Sequence, residues 1–65
     1  MIDIIERVSL QDQIAEVKRE ILMRQQVYTR MVDQGKMQRG EAERRTVAMA
    51  AVLRTLEQVR EATPP

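Results

Sequence analysis

The stretch SLQDQIAEVKREILMRQQVYTRMV, residues 9–32, decides the fold. Leu10, Ile14, Val17, Ile21, Tyr28 and Met31 recur in it at alternating steps of four and three, with Arg24 at the one skipped position. That alternation sets the large side chains along one side of a helix. A lone helix has no way to bury such a stripe, so a partner is required. The second half of the chain holds one. Ala42, Met49, Val52, Leu56 and Val59 fall on the same alternation, with Arg45 in the gap between Ala42 and Met49. Two matched stripes joined by a short polar turn specify an all-α chain, a two-helix antiparallel hairpin with helices over about 10–34 and 39–62.

Working outward from that stretch, Ser9 is well placed as an N-cap, with Asp12 adding favourable charge in the first turn and Val8 available as a hydrophobic staple. The stripe changes register there: extended backwards from Leu10 it lands on Arg7 and Asp3, while Ile2, Ile4, Ile5 and Val8 are apolar but off the line. Two readings of residues 1–8 are compatible with this pattern. In one, the segment is an apolar arm outside the hairpin. In the other, Asp3 caps, Glu6 completes a capping box, and one helix runs on through Ser9. The arm either contacts another subunit or partner or folds back on its own hairpin. At the other end of the stretch, Gly35 suits the left-handed residue that closes a helix, and Lys36 to Gln38 make the turn. Gln38 is a weak cap for the second helix, and Gly40 in its first turn lowers helix propensity. Three domain segments result: an arm over 1–8, the hairpin over 9–62 and a tail over 63–65.

Such a chain is too small to stand on one seam. It has 65 residues, 43% of them hydrophobic, one aromatic side chain in Tyr28, and neither Cys nor His. Disulfides, thiolate or imidazole metal sites and Cys- or His-based catalysis are thereby excluded. Chains of this size need another source of stability. Oligomerisation remains, and a homodimer forming a four-helix bundle is the expected state. The interface candidates are Ile14, Val17, Ile21, Met49, Val52 and Leu56 on the stripes, Ala48 and Ala51 as small residues beside the seam, and Ile4 and Ile5 in the arm.

Lys plus Arg number 11 and Asp plus Glu 10. This balance argues against a nucleic-acid partner, which usually calls for a much more basic domain. No apolar run approaches the roughly 20 residues of a membrane span, and Asp3 and Glu6 make the start of the chain unlike a signal peptide. A cytoplasmic protein without membrane attachment is the expectation. No catalytic constellation is legible, since Ser9 is the sole serine and has no His to activate it. The pairs Glu16/Glu20 and Glu57/Glu61 have basic neighbours and read as solvated helix faces rather than as a metal site. No cofactor is expected.

The charge is nonetheless segregated. Residues 24–45 hold six basic side chains (Arg24, Arg30, Lys36, Arg39, Arg44, Arg45) against three acidic ones (Asp33, Glu41, Glu43). With the bend at residues 36 and 37, Tyr28 faces Arg45 and Arg24 faces Met49, so the seam is polar near the turn and aliphatic at the open end. Arg24, Tyr28, Arg45, Arg44 and Lys36 are the candidates for contact with an acidic partner surface or an anionic, nucleotide-like small molecule, because guanidinium forks suit carboxylate and phosphate. A plainer reading has Arg45 stacked on Tyr28 and Arg24 laying its stem over Met49.

Over residues 10–56, the segments EVKREILMRQQVY (16–28), V-x-x-GKM (32–37) and EAERR-x-x-x-M (41–49) resemble a family of small helical proteins of temperate phages and prophages of proteobacteria. Thr29 stands where that family often has Pro, and Gln38 where it often has a capping hydroxyl residue. The family has no assigned enzymatic role, so the resemblance implies a phage context more than a mechanism. Small phage proteins of this kind are often accessory factors that bind a bacterial host protein and redirect or inhibit it, including in anti-defence. An oligomeric sponge for an anionic signal, and a structural or regulatory operon component with weak DNA binding, are the alternatives.

Overall fold

The computed structural model describes residues 2–64, with side chains from residue 4 onward. They form three helices, α1 (Ile2–Glu6), α2 (Leu10–Asp33) and α3 (Arg39–Ala62), and no strand is present among the described residues. The two long helices pack side by side as the antiparallel hairpin.

Local chemistry sets the boundaries. The Ser9 Oγ accepts from the Asp12 backbone N–H at 3.0 Å, and Asp12 lies in the first turn of α2. Residues 2–8 are therefore separate from α2, as in the arm reading, and part of the arm is itself helical. The expected staple takes another form. The position that would pack against Val8 is Gln13, and its side-chain amide donates to the Val8 carbonyl at 3.1 Å. Among the described residues, α1 makes no packing contact with either long helix.

α2 ends in a Schellman motif. Gly35 takes φ +72°, the Lys36 N–H donates to the Met31 carbonyl at 2.8 Å, and the Gly35 N–H donates to that of Val32 at 3.0 Å. α3 begins without a side-chain cap from Gln38. The two glycines at the turn should therefore respond oppositely to alanine. A Cβ at Gly35 meets no steric neighbour, but the left-handed backbone makes Gly35→Ala unfavourable by about 1 kcal/mol. A Cβ at Gly40 meets only the movable tip of Arg44 at 3.4 Å, so Gly40→Ala should stabilise by up to ~1 kcal/mol. Thermal unfolding followed by circular dichroism at one chain concentration should show a raised midpoint for Gly40→Ala and a lowered one for Gly35→Ala. Shifts of the same sign would contradict this account of the turn.

The seam of α2 is the expected one. Ile14 is buried at 2% exposure, and Leu10, Val17, Ile21, Arg24, Tyr28 and Met31 are half-buried along the same line. The seam of α3 is rotated from expectation. Ala42, Thr46, Met49, Leu53 and Leu56 are half-buried, whereas Arg45 is exposed and Val52 and Val59 are 46% and 45% exposed. Ala42, Met49 and Leu56 belong to both alternations, so the choice falls on the positions between them. Burying Arg45 would strip a guanidinium of water. Burying Thr46 carries little penalty, because its hydroxyl donates to the Ala42 carbonyl at 2.8 Å and its methyl is left to pack. The same rotation brings in Leu53 and turns Val52 and Val59 outward.

The hairpin is a single layer, whereas a domain core normally lies between two packed layers. Ile14 is the one buried side chain among the described residues. The accessible surface is 5593 Å² for a 7.6 kDa chain. A compact monomer of that mass exposes about 4,300 Å², which leaves about 1,300 Å² in excess.

Candidate functional site

Two faces flank the seam, and the sequence candidates divide between them. On one face, near the turn, Tyr28, Thr29, Val32, Ala42, Thr46 and Val47 line an open groove of roughly 370 Å³, with Gln25, Asp33, Arg39 and Glu43 at its polar edges. The hydroxyl of Thr29 donates to the Gln25 carbonyl at 2.7 Å and that of Thr46 to the Ala42 carbonyl. Both hydroxyls are thus satisfied within their own helices, and the threonines contribute apolar surface to the groove. Val47 is 67% exposed.

The opposite face takes the other side of each seam. Helical spacing puts Met23 and Val27 of α2 there with Arg45, Ala48, Val52 and Val59 of α3. Met23, Val27, Val52 and Val59 are exposed, and so is Ala48. Arg24, half-buried at the seam edge, donates through Nε to Glu20 at 2.7 Å. That hydrogen bond is the main cause holding its guanidinium pKa above the usual value. Arg45 is tied to Glu41 at 3.1 Å. Each is a solvent-accessible pair of i,i+4 type within one helix. These pairs matter more for what they occupy: both guanidinium groups are matched with a carboxylate of their own helix.

The structure therefore brings some of the candidates together and keeps others apart. Tyr28 lines the groove, and Arg45 is not among its lining residues and is exposed rather than buried in the seam. Arg44 borders a neighbouring hollow with Gly40, Glu43, Val47 and Ala48, and Lys36 is exposed in the turn. Glu16 is engaged by Arg19 at 2.6 Å and Glu20 by Arg24, and among the described residues no three ligand side chains converge for a metal. Of the residues considered for an interface, Ile14, Val17, Ile21, Met49 and Leu56 lie in the hairpin's own seam, while Ala48, Ala51, Val52, Ile4 and Ile5 are exposed. The groove-lining Thr29, Val32 and Val47, together with Arg39, were not legible as a group, because they meet only once the two helices are placed in register. Among the described residues, no helix is long and apolar enough to cross a membrane. Comparison with protein-family models, curated proteins and solved structures finds no match.

Proposed function

We propose that this chain is a non-enzymatic accessory protein, of the phage kind its sequence resembles, that binds a protein of the bacterial host cytoplasm and alters its activity. It acts as a homodimer in which two hairpins complete a four-helix bundle. The observation that carries this reading is the unmatched surface: about 1,300 Å² more than a compact chain of this mass exposes, with Val47 uncovered on one side of the helical layer and Met23, Val27, Val52 and Val59 on the other. One face suffices for a second copy. The other, with Met23, Val27, Ala48, Val52 and Val59 edged by the Arg24–Glu20 and Arg45–Glu41 pairs, has the apolar centre and arginine-bearing rim of a protein-binding surface.

Affinity capture from bacterial lysate tests it. The wild-type chain is expected to retain one host polypeptide in fixed stoichiometry. Val52→Asp and Arg45→Glu should each reduce that capture by roughly tenfold or more, as for residues central to an interface, with helical content and sedimentation unchanged. Undiminished capture by both variants would contradict the placement of the binding face. Absence of any stoichiometric polypeptide would contradict the function.

A further inference from the structure

We infer that the groove beside Tyr28 receives the N-terminal arm of a second copy of this chain, the two hairpins lying side by side in opposite directions so that each arm fills the other's groove. The inference rests on the homodimer reading and specifies its geometry.

The described apolar side chains of the arm are uncovered. Ile4 is 68% and Ile5 64% exposed, and among the described residues α1 makes no packing contact with either long helix. The Ser9 cap and the Gln13–Val8 hydrogen bond fix where the arm leaves the hairpin, at its open end. The groove lies near the other end. Tyr28 is separated from Ser9 by almost the whole of α2, about 28 Å at the helical rise per residue. With residues 2–6 helical, the arm spans well under about 28 Å from its base at Ser9 and does not reach its own groove. In an antiparallel pair, however, the open end of each hairpin lies beside the turn of the other, at the level of Tyr28, Val32 and Val47.

Charge selects that direction. Residues 24–45 carry a net +3, and the rest of the chain, with five basic and seven acidic side chains, carries −2. Antiparallel association sets unlike ends together, whereas parallel association sets like ends together. At the contact itself the arm offers Glu6 and Arg7, and the groove edges offer Arg39 with Asp33 and Glu43. A two-fold exchange of this kind is closed, so it stops at a dimer.

The absence of cysteine makes the test direct. Ile5→Cys and Val47→Cys chains are prepared separately, mixed as dimers under conditions that allow exchange, and oxidised, with sedimentation equilibrium run on the wild-type chain in parallel. The expected result is a wild-type dimer and a disulfide joining one chain of each kind, in preference to links between like chains. Deleting residues 1–8 should weaken dimerisation by roughly tenfold or more, since the apolar area the arm buries in the dimer is lost, while the remaining helices stay formed. A wild-type dimer that gives no Ile5–Val47 link, or that tolerates the deletion, would overturn the arm exchange and leave the homodimer standing. A wild-type monomer would overturn both. Linkage of the Val47→Cys chain to a co-purifying foreign polypeptide instead of a second copy would also overturn the exchange.

Discussion

Ile14→Ala is expected to lower the unfolding free energy by about 2–5 kcal/mol, the range for truncating a buried isoleucine, and to leave much of the chain unfolded at 37 °C. Position 14 holds the one buried side chain among the described residues, near the open end where the seam is aliphatic. Within one chain there is no second layer to close the cavity, so the neighbouring seam residues have little from which to repack. Denaturant unfolding followed by circular dichroism, at matched chain concentration, measures the effect. A loss within ~0.5 kcal/mol, the range for a surface substitution, would mean that Ile14 is not the anchor of the hairpin.

The adjacent residues Val52 and Leu53 give the second large effect, as a contrast. Leu53→Asp should destabilise on the order of 3 kcal/mol, because a carboxylate would enter the contact between α2 and α3 without a partner. Val52→Asp should change stability by less than about 1 kcal/mol, since that side chain is already 46% exposed. Paired melts of the two variants separate the observed register of α3 from the alternation through Arg45, Val52 and Val59. Equal or inverted effects would restore the latter.

That contrast also marks where the sequence stops being legible. Helices expected over 10–34 and 39–62 appear as Leu10–Asp33 and Arg39–Ala62, because their ends are set by local signals: a capping hydroxyl at Ser9 and a left-handed glycine at Gly35. The α2 stripe is equally plain, since no rival alternation through residues 10–31 is as apolar. In α3 the rival exists. Ala42, Met49 and Leu56 are common to both registers, and Val52 and Leu53 are nearly equivalent as apolar residues. The decision comes from the desolvation of Arg45 against a threonine that satisfies its own hydroxyl, which is a property of the packed pair of helices and not of either stripe. The groove follows from that decision. Tyr28 stands out in the sequence as the sole aromatic, but its neighbours Thr29, Thr46 and Val47 are drawn from both helices and acquire meaning only in the settled register.

The central claim is that this hairpin is completed by a second copy of itself. Sedimentation equilibrium of the purified chain over a wide range of concentration, paired with thermal melts of the same samples, tests it most directly. The account predicts a mass twice that of the 7.6 kDa chain and an unfolding midpoint that rises with concentration, because association stabilises only the folded form. A single-chain mass with full helicity and a midpoint independent of concentration would contradict it.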